Sequence, residues 1–228
     1  MMGSSPMSQS VEMSAAAVLF DLDGVLVFSS ASVHRSWTAW AHSHGIDPVA
    51  VLAAASGTRS VDTIRQVAPH LDAEAEATRL EAGQALDTSD VTAGPGAAAL
   101  LESLAQHEWA IVTSGSEPLA RARLRAAGLP EPKVFVTAEQ VSAGKPDPAG
   151  YLLAAGLLGA PPQRCVVIED AAAGIAAGRS AGMRVIGLGG GESEHLAEAD
   201  VVAGACADLE VLREPGRGLI IRTTEGDV

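Results

Sequence analysis

The chain has 228 residues, 47% of them hydrophobic and 19% charged, and a formal net charge of -13 at pH 7. That length and composition can bury a substantial core, as one large domain or as a core with a small insertion. The negative balance argues against nucleic acid or an anionic membrane as partner. Cys165 and Cys206 are too few for a disulfide framework and sit in apolar sequence, so they read as reduced core residues, which suits the cytoplasm.

The opening residues Met1 to Ser10 have neither a basic end nor an apolar centre, which argues against a signal peptide, and residues 1–14 read as a disordered lead-in. No apolar run has the length needed to span a bilayer. The first strong element is a strand over 16–21 that stops on Asp21 and Asp23, with Leu22 between them and Gly24 after them. Two carboxylates so close repel unless they share a cation, and hard oxygen donors suit magnesium. Residues 30–44, 48–55, 60–69 and 73–88 then read as successive helices, with breaks near 45–48, Gly57 and 69–72 and no strand among them. In the first of these helices Trp37, Trp40 and His44 are spaced i, i+3, i+7 and form a core-facing stripe.

From Gly94-Pro95-Gly96 onward strands and helices alternate: helix 96–106, strand 109–113, helix 117–127, strand 134–136, helix 148–158, strand 165–168, helix 172–181 and strand 184–188. Weaker strands follow near 200–203 and 217–222. Such alternation predicts an α/β fold, a parallel sheet with helices on both faces. Ligands bind in this architecture outside the carboxyl ends of the strands, where Asp21 and Asp23 lie.

Three other strand ends or loops carry polar groups that phosphate chemistry needs. The strand over 109–113 runs into Thr113, Ser114, Gly115 and Ser116 before a helix, so hydroxyls and backbone N–H groups meet at a helix N-terminus, a place that binds phosphate oxygens. Gly144 to Pro148 is a proline-stiffened loop carrying Lys145, one of two lysines in the chain and a candidate fixed positive charge. The strand over 165–168 ends on Glu169 and Asp170 ahead of the small-residue run 171–178, which supplies further metal ligands.

In type, order and separation, Asp21/Asp23, Thr113, Lys145 and Glu169-Asp170 resemble the four motifs of the haloacid dehalogenase superfamily, and the resemblance covers nearly the whole chain. The segments 109–116, 135–146, 169–178 and 56–64 look most like its glycerol-3-phosphate, 2-deoxyglucose-6-phosphate and related sugar phosphatases. Phe28 stands where many relatives carry Asp and leaves the chemistry intact, whereas Ser56 stands where this subgroup often has His and bears on substrate choice.

The resemblance implies a Rossmann-like core over 15–30 and 92–228 and an inserted α-helical cap over 31–91, with hinges near 29–31 and 91–95. It also implies a magnesium-dependent phosphatase acting on a small sugar or polyol phosphate, a monomer or weak dimer. Asp21 is then the nucleophile that forms an aspartyl-phosphate, and Asp23 the general acid and base. Thr113, Ser114 and Gly115 hold phosphoryl oxygens, and Lys145 neutralises charge. The metal falls to Asp21, the Asp23 carbonyl and Asp170, with Glu169 bound directly or through water, and Arg59 in the cap is a candidate substrate contact.

Relatives of other activity fit less well. A phosphonate-cleaving relative needs a cap lysine, yet Lys133 and Lys145 both lie outside the cap, and a dehalogenase lacks the second Asp. The alternative that stands is a β-phosphoglucomutase-like phosphotransferase. Its cap places a His twelve residues after the nucleophile, and here that position is Val33, with His34 one residue on.

Overall fold

The computed structural model describes residues 10–189, 194–214 and 218–223. Six short strands form the central sheet: β2 (Ala17–Phe20), β5 (Trp109–Val112), β6 (Val134–Val136), β7 (Cys165–Glu169), β8 (Arg184–Leu188) and β9 (Val201–Ala203), in the order β6-β5-β2-β7-β8-β9. All neighbours are parallel. The chain leaves β2 in the middle and returns on either side of it, so the crevice between β5 and β7 is where a doubly wound sheet opens a binding site.

Alternation within the strands splits the core into two layers. Val18 and Phe20 of β2 face one side with Trp109, Ile111, Val166 and Ile168, while Ala17 and Leu19 face the other with Ala110, Val112, Val167, Tyr151 and Ile175. On the first side Phe20 meets Trp109 edge-on at 6.3 Å between ring centres. The helices α5 (Ala97–Glu102) and α6 (Glu117–Ala127) contribute Leu100, Leu101 and Leu124 to that layer. On the second, α7 (Ala149–Leu158) and α8 (Ala172–Ser180) contribute Ala154, Ala155 and Ala177. Cys165 and Cys206 are free and buried, and burial pushes their thiols up to about 11 and about 12. None of the helices is long and apolar enough to cross a membrane, among the described residues.

Between β2 and β5 the chain forms α1 (Ser30–Ser43), α2 (Pro48–Ala55), α3 (Ser60–Val67) and α4 (Ala73–Leu86), which close around their own core of Trp37, Trp40, Val51, Ile64, Ala77 and Leu80. Pro48 opens α2 behind the Asp47 carboxylate, which accepts from Val49 N–H at 3.0 Å, and Asp72 caps α4 through Ala75 N–H at 3.2 Å. The stripe of Trp37, Trp40 and His44 packs as expected, Trp37 against Trp40 at 5.5 Å and Trp40 against His44 at 4.7 Å. The two strands of chain leading into and out of these helices, β3 (Val27–Phe28) and β4 (Thr92–Ala93), pair antiparallel, so both crossings run side by side. Gly94 donates to the Leu26 carbonyl at 2.8 Å, and a Cβ on Gly94 would come within 2.6 Å of the Val25 carbonyl oxygen.

Three elements depart from the expected pattern. Residues 12–14, placed in the lead-in, belong to β1 (Glu12–Ala15), while residues 1–9 lie outside the described residues. A strand not anticipated, β10 (Leu209–Glu214), joins β1 through β11 (Gly218–Thr223) in a three-stranded antiparallel sheet of order β1-β11-β10. The helix expected over 96–106 begins at Ala97, after Gly96 at φ +78°, and ends at Glu102, beyond which Ala105 N–H donates to the Glu108 carboxylate at 2.7 Å.

Candidate active site

β2 ends as the chain passes Asp21, whose N–H donates to the Ile168 carbonyl at 3.0 Å and so keeps the residue in register with β7 after the strand proper has finished. The chain then turns sharply. Gly24 adopts φ +83°, its N–H donates to the Val27 carbonyl at 2.8 Å, and Val27 N–H donates to the Leu22 carbonyl at 2.9 Å. A Cβ at Gly24 would lie 1.9 Å from Asp170 Oδ2, so the missing side chain lets the Asp21-Asp23 turn close on Asp170.

Lys145 reaches this point from the loop before α7, with a cis bond to Pro146. Its Nζ donates to Asp21 Oδ1 at 2.5 Å and to Glu169 Oε1 at 2.6 Å, all three side chains being under 10% exposed. Burial alone would push the Lys145 ammonium down, but Asp21 and Glu169 outweigh it and hold it above the ordinary lysine range. Asp21 is pushed up by burial and by the neighbouring Glu169 and Asp170 carboxylates, with Lys145 opposing them.

Glu169 is fully enclosed and each of its oxygens has two donors. Oε1 accepts from Lys145 and from the Tyr151 hydroxyl at 2.7 Å; Oε2 accepts from Asp170 N–H at 3.0 Å and Ala171 N–H at 3.3 Å. A Cβ at Gly174 would sit 1.6 Å from Oε1, so α8 makes room for this carboxylate. Burial and the nearby Glu169 push Asp170 up to about 7, with Asp23 adding to the rise and Lys145 opposing it. The ligand oxygens of Asp21, Glu169 and Asp170 lie within 4.8 Å of one another. Crowded carboxylates with one ammonium among them form a donor set that fits a divalent cation.

Thr113 is buried, with its Oγ1 accepting from Gly115 N–H at 3.1 Å, so the turn ahead of α6 is closed on itself. The Ser114 hydroxyl donates to the Gly57 carbonyl at 2.9 Å and joins the sheet side to the helical insert. Asp21, Asp23, Thr113, Ser114, Gly115 and Asp170 all face one cleft of about 320 Å³, closed on its far side by Val33, His34, Trp37, Ser56, Thr58 and Gln84. Four segments separated by 20 to 90 residues of chain thus meet at the carboxyl ends of β2, β5 and β7.

Arg59 goes elsewhere. Its guanidinium pairs with Asp62 at 2.6 Å and donates to the Val141 and Ser142 carbonyls at 3.0 and 3.3 Å, against Gly144, where a Cβ would meet Arg59 Nε at 2.7 Å. Arg59, expected as a substrate contact, is held here as a strap between insert and core, and Ser56, Thr58 and Ser60 line the cleft from the same stretch.

Some polar residues of the cleft carried no motif. Ser29 donates to Asp23 Oδ1 at 2.6 Å, and Arg123 on α6 donates to Asp23 Oδ2 at 2.6 Å and to Gln84 Oε1 at 2.9 Å. Glu81 accepts from the Ser60 hydroxyl at 2.6 Å and from Ser116 N–H at 2.9 Å. A signal for them exists in the helical spacing. Ala73, Ala77, Leu80, Glu81 and Gln84 share the buried face of α4, and Leu119, Ala120, Arg123 and Leu124 that of α6, so the polar members are charges and amides set on apolar stripes.

Comparison with known proteins follows the same lines. A family model described as haloacid dehalogenase-like hydrolase matches residues 15–182. The chain is 48% identical over 210 residues to hexitol phosphatase A of Escherichia coli, covering 90% of this chain and 97% of that protein. It is 34% identical to 2-deoxyglucose-6-phosphate phosphatase 1 of Saccharomyces cerevisiae, covering 92% and 96%. Among solved structures, a hydrolase from Pseudomonas syringae superposes with a TM-score of 0.74 at 30% identity, covering 85% and 95%.

Proposed function

We propose, since this chain belongs to the haloacid dehalogenase-like hydrolase family, that it is a phosphatase releasing inorganic phosphate from a small sugar or polyol phosphate. The observation that carries this reading is the Asp21 carboxylate held by Lys145 at 2.5 Å at the floor of a cleft whose opposite wall offers Ser56, Thr58 and Gln84 among apolar side chains. The relatives named for hexitol and 2-deoxyglucose-6-phosphate support a substrate of sugar or polyol type.

In this reading Asp21 attacks phosphorus in line with the leaving oxygen, an Asp21–phosphorus bond forms, and the ester P–O bond breaks. Asp23 gives its proton to the departing alkoxide. It then takes a proton from water as that water attacks the aspartyl-phosphate, which frees phosphate and restores Asp21. Thr113, with Ser114 and Gly115 of the same turn, holds the phosphoryl oxygens. Lys145 opposes the charge that grows on them, fixed in place by Glu169. Magnesium would be held by Asp21, Asp170 and the Asp23 carbonyl, and when bound it neutralises phosphate charge and favours ionised Asp21. Because both oxygens of Glu169 already serve donors, we assign that residue to Lys145 and Tyr151, with any influence on the ion passing through water.

His34 lines the cleft, and this one observation favours the phosphotransferase alternative. One experiment separates the two. Purified protein is offered a panel of hexitol, hexose and glycerol phosphates with magnesium, and also β-glucose 1-phosphate with a trace of glucose 1,6-bisphosphate. Inorganic phosphate from the panel, abolished by EDTA, is the expected result. Catalytic formation of glucose 6-phosphate with little free phosphate would overturn it.

A further inference from the structure

Arg123 is a buried guanidinium with its side chain 5% exposed, and it touches the candidate acid-base residue on one side and the helical insert on the other. We propose that Arg123 is a positioning residue that sets the orientation of the Asp23 carboxylate and links it to the insert through Gln84. The inference rests on the reading of Asp23 as proton donor and acceptor.

The Asp23 carboxylate has an anchor at each oxygen. Oδ1 takes the hydroxyl of Ser29, the residue ahead of α1, at 2.6 Å, and Oδ2 takes Arg123 NH1 at 2.6 Å from the core helix α6. Two bonds, one to each oxygen, restrain the group, and proton transfer requires it to meet the leaving oxygen within hydrogen-bond reach. The second arm of the guanidinium, NH2, donates to Gln84 Oε1 at 2.9 Å on α4. The planar fork presents two nitrogens at a fixed angle, so Asp23 and Gln84 are held in one geometry. The same edge of the insert meets the core through Glu81 on Ser116 N–H and through the Gly57 carbonyl on Ser114. The contact between α4 and α6 is therefore polar, and Asp23 is oriented fully only while the insert is seated on it. A charge so enclosed is costly unless paired, which gives Arg123 no reason to sit on the apolar stripe of α6 other than its two partners.

The test is a double-mutant cycle followed with p-nitrophenyl phosphate, whose leaving group needs little protonation, beside an alkyl phosphate hydrolysed by the wild type. Arg123→Met keeps the apolar stem, and exposed Arg125→Met on the same helix is the control, expected to match wild type. Since general acid-base catalysis contributes about a hundredfold or more, Arg123→Met should lower kcat on the alkyl ester by about thirtyfold, leave KM within about threefold, and cost less on the nitrophenyl ester. In an Asp23→Ala background the same change should cost under about threefold, because a residue acting through Asp23 has nothing left to orient. Gln84→Leu, which cuts the link from the insert side, should lower kcat in the same Asp23-dependent way, and it keeps the proposal testable if Arg123→Met unfolds early. Equal losses with and without Asp23 in whichever of the two variants folds, or no loss at all, would overturn the proposal and leave the phosphatase reading intact. Asp23→Ala with wild-type kcat on the alkyl ester would overturn both.

Discussion

The Lys145 ammonium donates to the Asp21 carboxylate at 2.5 Å across 124 residues of chain. Both side chains are under 10% exposed, so each is the other's main source of charge compensation, with Glu169 completing the trio. Lys145→Ala is expected to lower kcat/KM at least about a hundredfold, the scale of removing one preorganised partner of transition-state charge. It should also lower the melting temperature, since two buried carboxylates lose their cation. Phosphate release and a thermal melt on one preparation check both. Unchanged kinetics would reduce Lys145 to a structural ion-pair partner.

The order of these motifs along the chain made their meeting legible. Each followed an apolar run or a Pro-stiffened loop, and parallel strands bring their carboxyl ends to one edge. What stayed hidden depended on side chains whose partners are remote. Arg59 read as a candidate substrate contact, yet besides Asp62 its acceptors are backbone carbonyls more than 80 residues away. Arg123 and Gln84 belong to no motif, and only their place on the buried stripes of α6 and α4 sets them apart. Glu12–Ala15 is a four-residue strand, and Leu209–Glu214 carries charged residues on both of its faces, so neither shows a clean alternation long enough to identify it without β11 between them.

Asp21→Asn keeps the size of the side chain and leaves an oxygen that can still accept from Lys145. The variant should fold as the wild type does and release no phosphate, because a neutral amide is a poor nucleophile and forms no stable acyl phosphate. Wild-type turnover, in protein shown by mass to be free of deamidation, would remove Asp21 from the nucleophile's role.

Gly174→Ala tests Glu169 without touching a charge. The new Cβ would lie 1.6 Å from Glu169 Oε1, an atom pinned by Lys145 and Tyr151, so the carboxylate must shift and drag Lys145 from Asp21. Overpacking of this kind costs about 1 to 3 kcal/mol in stability. The expected signature is a modest fall in melting temperature with at least about a tenfold loss of kcat, the larger part coming from the displaced charge. A stability loss with full kcat would show that Glu169 supports the fold and not Lys145.

Asp170 supplies a test of the metal that does not depend on turnover. Burial and Glu169 raise its pKa from the usual 3.8 to about 7, so in metal-free protein the folded state keeps a proton that the unfolded chain gives up. As pH climbs from 3.8 toward 7 the unfolded state binds fewer protons than the folded one, and this group's contribution to stability falls across that window. A cation that binds the ionised form has to displace the proton below the folded value and meets no such competition above it. Magnesium should therefore raise the melting temperature more at about pH 8 than at about pH 5.5, with EDTA reversing the gain at both. Asp170→Asn should abolish the magnesium response and flatten the metal-free decline in stability. A magnesium shift of equal size at the two pH values, or one that survives Asp170→Asn, would place the ion away from this carboxylate.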